Sequence, residues 1–545
     1  MLFSTDSSLF GLRGRALECL GHIAVAIKAS EFEKYFDKGI ESAWQGVQLD
    51  DDVLKEHAYV FFANASKVMG KKFDKYTALV MPHLLEVIAE SEVTFNPNDD
   101  DDDDADVAPN LVTVNPTGAG ANGEDEDDSE DGDYVFNGDE EFVNSKKAAI
   151  TAVGCIAEHT KEVFYPWLPQ SCNALLKEDD GAIDSMHSAI RAEAVLVLKD
   201  MITSAAAANN CPPPVKGQIA SLPEQVTQCT NLCLTKCIST LQDYEKLPVS
   251  QACEAIEGIL STLGMSALNT IGQDGVNSLM HNILLLLQEK GECQKAGKTG
   301  DGDGDDDDDH DNIVMDAVTD VIGALARAMG SLFIQYFDHL VPTLLKFTKE
   351  SRVYSDRSMA IGCFAEVFQE IGPPCSKYVE TIIPIIQRGL TDSMESVRRN
   401  SAYCIGTLVT NCGATLTPHY ITILQWLHPL CIRQNTQVSA DIGGADIDNA
   451  ISTVSRMIQV SIDSVPLAHI LPVMLSSLPL RSDHEEGVNV YTTLIGLLSS
   501  NNQVALSMKD QFLECFRQVV TSESLANNAT KTLVRNYLQS IGIAC

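Results

Sequence analysis

"SVRRNSAYCIGTLVTNCG" runs from Ser396 to Gly413, and it decides the fold. With Ser401 as zero and 100° per residue, Ile405, Leu408 and Cys412 fall within about 40° of it, the apolar stripe of an amphipathic helix. Gly413 stands where a helix favours a left-handed C-cap. The block recurs in "RALECLGHIA" (15–24), "AAITAVGCIA" (148–157) and "MAIGCFAEVF" (359–368). Each has a small residue, an apolar one four positions later, and then Gly or Ala. That small position falls at Ala16, Ala58, Ala149, Ala194, Cys253, Val318, Ala360, Ser401 and Ala450, with weaker copies at Tyr491 and Leu533. The undisturbed spacing is 41 to 49 residues, the period of HEAT and armadillo arrays, in which each unit is a pair of antiparallel helices.

A second helical pattern lies between successive blocks. Tyr76, Tyr336 and Tyr378 each precede a proline by six residues, at Pro82, Pro342 and Pro384. Proline inside a helix removes a hydrogen bond and kinks it, which lets a stack curve. Strand signals are almost absent. The fold class expected is all-α, a solenoid of about eleven HEAT repeats forming one superhelix over 1–545. Oversized intervals mark three insertions, two acidic and disordered (99–141 and 296–311) and one an Ala/Pro-rich loop (204–217).

Those insertions hold much of the charge. The chain of 545 residues carries a net charge of −38, with eighteen Asp/Glu and no Lys/Arg in 99–141 and eight Asp in 301–311, so the rest stands at −12. Such segments cannot bury enough apolar surface to fold alone. Ser129, followed by Glu130, Asp131 and Asp133, is a candidate phosphorylation site. Asp301, Asp303 and Asp305 alternate as in a calcium loop, but Asp306 replaces its glycine and Asn312 its bidentate glutamate, so no specific calcium site is expected.

Sixteen cysteines dispersed through helical patterns read as reduced thiols. Cys229, Cys233 and Cys237 lie along one helix face as small core residues, without the histidine spacing of a zinc site. The longest strongly apolar run, "ILLLLQ", is too short to cross a bilayer. No phosphate-binding loop, dinucleotide fingerprint or nucleophile elbow is present, and the histidines are scattered. Neither enzyme activity nor a cofactor is expected.

The kinked first helices, the "DSMESVRRNS" stretch at Asp392–Ser401, the "LRGRALECLG" block and the acidic insertions together resemble the importin-β (karyopherin-β) superfamily, most closely the C-terminal half of its importin-4 type. Members are about twice this long, so a fragment or truncated form is expected. The resemblance implies a nuclear import receptor shuttling between cytoplasm and nucleus. Its cargo would be basic proteins such as core histones three and four and ribosomal proteins. Other implied partners are Ran in its GTP form, through N-terminal repeats missing here, and nucleoporin FG repeats; neither nucleic acid nor membrane is bound directly. A HEAT scaffold of a multiprotein complex and an acidic histone chaperone are the alternatives.

The resemblance also implies that second helices line a concave, cargo-facing side. On the wheel, Asn400, Tyr403, Thr407 and Asn411 fall between about 200° and 280°, away from the apolar stripe. The same arithmetic places Asn449, Ser452 and Arg456 there when counted from Ala450, Glu366 and Glu370 from Ala360, and Glu486 from Tyr491. An amide can donate to and accept from an extended peptide backbone, carboxylates can hold its lysines, and Tyr403 can pack on a cation. The cargo-binding set expected is therefore Glu366, Glu370, Asn400, Tyr403, Thr407, Asn411, Asn449, Ser452 and Glu486.

Overall fold

The computed structural model describes residues 2–27, 29–90, 92–96, 111–113, 133–137, 140–178, 181–295, 305–433 and 443–543. The chain divides into two compact units, Met1–Val318 and Thr319–Cys545. The first contains α1 (Phe10–Ala26), α2 (Ala29–Val47), α3 (Asp52–Met69), α4 (Asp74–Ile88), α5 (Glu140–Thr160), α6 (Leu168–Leu176), α7 (Ser188–Leu196), α8 (Leu198–Ala208), α9 (Glu224–Thr240), α10 (Lys246–Leu263) and α11 (Met265–Leu287). The boundary falls within α12 (Asp305–Met329). The second unit continues with α13 (Ile334–Phe347), α14 (Tyr354–Ile371), α15 (Val379–Gly389), α16 (Glu395–Cys412), α17 (Tyr420–Cys431), α18 (Ala445–Val460), α19 (Leu467–Ser476), α20 (Gly487–Ser499), α21 (Gln503–Ser507), α22 (Lys509–Thr521) and α23 (Asn528–Ser540).

The architecture is an all-α solenoid. Each small-residue position lands on the second helix of a pair, on α1, α3, α5, α7, α10, α12, α14, α16, α18, α20 and α23 in turn. From Ala58 to Tyr491 all of them are buried, because a second helix packs against its own first helix and against neighbouring second helices. Thus α3 packs on α1 and α5 in the first unit, and α16 on α14 and α18 in the second. First helices close the other side, α4 on α5 and α15 on α16. Gly372 and Gly413 end α14 and α16 at φ 70° and 49°, the left-handed region that a side chain would strain.

Pro82, Pro342 and Pro384 lie inside α4, α13 and α15. Pro429 and Pro472 do the same in α17 and α19, where no tyrosine stands six residues earlier to signal them. Two of these tyrosines, Tyr76 and Tyr378, make an inter-repeat bond. Tyr378 donates to Asp338 of α13 at 2.7 Å and Lys377 pairs with the same carboxylate at 2.6 Å, while Tyr76 and Lys75 hold Asp37 of α2 in the same way.

The insertions differ in part from expectation. The loop expected at 204–217 begins only at Asn209, because the alanine run, the best helix former, extends α8 to Ala208. The acidic run from Asp305 onward is the start of α12, the end at which a helix tolerates acid. Within and beside 99–141, β1 (Val93–Asn96), β2 (Leu111–Thr113) and β3 (Asp133–Asn137) form a small antiparallel sheet with β3 central, Val93 facing Phe136 and Leu111 facing Asn137. Ser129, Asp301 and Asp303 lie outside the described residues. The stretch Ile313–Phe347 is long and apolar enough to cross a membrane by length and composition, contrary to the expectation drawn from single runs. It is nevertheless mostly buried in the fold and is interrupted at Gly330, whose φ is 57°.

Candidate functional site

The polar strip of the second helices divides into a buried seam and an exposed edge. In the seam, the Asn400 Nδ2 donates to the Ser358 carbonyl at 2.8 Å and to the Ser358 Oγ at 3.0 Å, crossing from α16 to α14. Asn411 donates from the other end of α16 to the Phe368 carbonyl at 3.0 Å. Asn449 is 2% exposed, and its Nδ2 bonds the Ala445 carbonyl at 2.9 Å and Asp483 at 2.8 Å. Ser452 donates to Glu486 and its hydroxyl accepts from Asn489 at 2.6 Å. Asn282 and Asn527 make the same kind of bridge, to the carbonyls of Ile238 and His484.

This corrects the expectation that these side chains face a peptide. Thr407 is 1% exposed and bonds the Cys404 carbonyl of its own helix, Ser452 is 2% exposed, and Glu486 is buried, its two oxygens accepting from one guanidinium nitrogen of Arg456 at 2.9 and 3.0 Å. Asn400 and Asn411 are half-buried, with their amide donors committed to α14. Tyr403 is half-buried; its hydroxyl donates to Gln369, and the Arg456 guanidinium sits 5.4 Å from its ring centre, so an internal cation occupies that face. Burial pushes the Tyr403 phenol up to about 12. A wheel separates the side facing the first helix from the opposite side, but it does not show that neighbouring second helices also cover its flanks.

Side-chain length decides what escapes the seam. Glu366 occupies the wheel angle of Thr407, yet its longer side chain reaches solvent, crossing over Gly323 of α12 on the way. Glu370, one turn on, is half-buried. Asp320 of α12 is exposed and falls in the same strip when counted from Val318. Burial pushes the Cys363 thiol up, and the charges of Glu366 and Asp320 add to the effect. Asp320 was legible by the same arithmetic, carried one repeat earlier. The edge thus presents carboxylates beside the exposed Gln369, a surface able to accept from lysine or arginine.

A second missed set holds the repeats together. Three residues before the small position stands a cation in six repeats, namely Arg13, Lys55, Lys146, Arg191, Arg357 and Arg398. Arg191 forks onto Asp243 at 2.7 and 2.9 Å and Arg357 onto Asp392 at 2.9 and 3.1 Å. Asp446, with no exposed surface, takes Arg398 at 2.7 Å and Arg433 at 2.8 Å. Arg191, Arg357 and Arg398 also bond loop carbonyls five or six residues before themselves. The fixed offset is the signal that could have found them.

Two family models match, "Importin subunit beta-1-like, TPR repeats" over residues 306–447 and "Importin repeat 6" over 250–350. The probable importin subunit beta-4 of Schizosaccharomyces pombe is 24% identical over 536 residues, 95% of this chain and 47% of that protein. Importin-4 of Homo sapiens is 23% identical over 400 residues, 72% of this chain and 35% of its own. The chain therefore spans half or less of the length of these relatives. Among solved structures, Kap121p bound to Nup53p superposes with a TM-score of 0.66 at 13% identity, over 97% of this chain and 48% of that one. Kap121p bound to RanGTP gives 0.62 at 14%, over 97% and 48%.

Proposed function

The chain is importin-4-like, of the importin-β (karyopherin-β) kind, and from that premise we propose that it is a cargo-binding part of a nuclear import receptor, taking basic segments of other proteins on the exposed edge of its second helices. The observation that carries the proposal is the recurrence of carboxylates within the same polar strip of successive second helices, the exposed Asp320 on α12 and the exposed Glu366 and half-buried Glu370 on α14. The seam behind them fixes the spacing. Lysine-rich tails of core histones three and four and basic ribosomal proteins are the cargo class this charge suits, and the acidic runs at 99–141 and 301–311 raise their encounter rate. Ran in its GTP form and nucleoporin repeats are partners of the complete receptor, by analogy with the RanGTP and Nup53p complexes of Kap121p. Shuttling between cytoplasm and nucleus follows from that role.

The test is titration of a lysine-rich tail peptide against the chain and its Glu366→Lys, Glu370→Lys double variant at several salt concentrations. The proposal expects at least a tenfold weaker complex and a flatter salt dependence for the variant. Equal affinity at every salt concentration would remove these carboxylates from the binding surface.

A further inference from the structure

Three thiols meet in the first unit. Cys229 and Cys233 stand one turn apart on α9, and Cys172 reaches them from α6 of the preceding repeat. The Cys172 Sγ lies 4.0 Å from that of Cys229, which lies 4.0 Å from that of Cys233. Cys233 is sealed in the core, whereas Cys172 and Cys229 are half-buried and within reach of a small solute. Among the described residues no group of three or more His, Cys, Asp or Glu is placed to hold a metal, so the chemistry this geometry favours is that of sulfur with sulfur.

We propose that Cys172 and Cys229 are a peroxide-sensitive modification site, whose disulfide staples α6 to α9 across consecutive repeats. Hydrogen bonds from the two α9 thiols favour the thiolate of Cys172, holding it well below the usual thiol range, and the same contacts push Cys229 and Cys233 up. Cys172, half-buried and facing both α9 thiols from the neighbouring helix, is the thiol we assign as the nucleophile. Its thiolate attacks the nearer oxygen of hydrogen peroxide or an alkyl peroxide; the O–O bond breaks, water or the alcohol leaves after taking a proton, and a sulfenic acid remains. The Cys229 sulfur then attacks the sulfenic sulfur, and its proton departs with the hydroxyl as water. Two thiols are oxidised by two electrons and the peroxide is reduced.

Closing 4.0 Å to the roughly 2 Å of an S–S bond needs small movements of two side chains on separate helices. Cys229 with Cys233 is the poorer pair, since i,i+4 Cβ atoms on one helix lie about 5–6 Å apart, beyond the reach of an unstrained disulfide. The Sγ atoms of Cys375 and Cys412 are nearer, at 3.5 Å, but Cys375 has no exposed surface for a peroxide to reach.

The experiment is non-reducing peptide mapping of the chain after treatment with hydrogen peroxide, with the thiols that remain free alkylated after the oxidation and before digestion. The expected result is a Cys172–Cys229 linked peptide in most molecules, released by dithiothreitol, lost in Cys172→Ser and retained in Cys233→Ser. Three results would overturn the proposal: both cysteines still alkylated after oxidation, Cys172 carried to sulfinic acid without a link, or Cys375–Cys412 linked first. The wild-type map decides the matter even where a variant folds poorly.

Discussion

Asn400 commits its amide to the neighbouring helix α14 and Asn449 to its own helix and to Asp483 of the segment before α20, and their loss belongs to stability rather than recognition. Replacing either by alanine leaves a carbonyl or carboxylate partner without its donor in a part-buried seam, which costs about 1–3 kcal/mol. Denaturant unfolding of each variant should show that loss. A different residue links stability to pH. Burial, opposed by Lys199 and reinforced by Glu158, Glu254 and Glu193, pushes the Asp200 carboxyl up to about 7. Because the folded state favours the protonated acid, this contribution is complete below the ordinary carboxyl range near ~4 and is lost as pH rises through about 7. Asp200→Asn should therefore stabilise the chain by about 1–2 kcal/mol at pH 8, with discount for its partial exposure, and by little at pH 4. Thermal unfolding at the two pH values checks the sign; equal shifts at both would contradict it.

At the scale of elements, the joint between repeats is an arginine at the start of a second helix and an aspartate of a neighbouring turn, Asp243 or Asp392, or of the first turn of the next second helix, Asp446. Asp446 is the most buried example, and Asp446→Ala strands Arg398 and Arg433 together, for a loss of about 3–5 kcal/mol in chemical denaturation. A loss under 1 kcal/mol would mean that the two guanidiniums find water. The helix pairs themselves were legible, because a small residue with apolar neighbours at helical spacing marks the tightest contact of each second helix and recurs with a fixed period. The joint was missed although the offset of its cation is as regular, because a wheel gives a side chain's direction and not its partner, and the aspartates stand at irregular separations of 52, 35 and 48 residues from Arg191, Arg357 and Arg398. Thr407 and Ser452 were misplaced for a physical reason: periodicity reports one apolar direction, whereas a second helix has neighbours on both flanks, and short side chains there cannot reach water. Glu366 is exposed because its length carries it past the seam.

For the molecule as a whole, charge is divided between two acidic runs, 99–141 and 301–311, and the rest of the chain, near −12. Converting the acids of 99–141 and 301–311 to their amides should slow association with a basic tail and weaken its salt dependence while leaving a measurable complex, as stopped-flow titration would show. Complete loss of binding would favour the acidic-chaperone alternative, in which the runs themselves are the receptor. The division of the second helices into a structural seam and a binding edge is the central claim. Its most direct test is a peptide titration and a denaturation curve measured together on the Asn400→Ala, Asn449→Ala double variant. The account predicts a clear loss of stability with tail affinity within about twofold of the parent under native conditions; a tenfold or greater loss of affinity with an unchanged unfolding curve would contradict it.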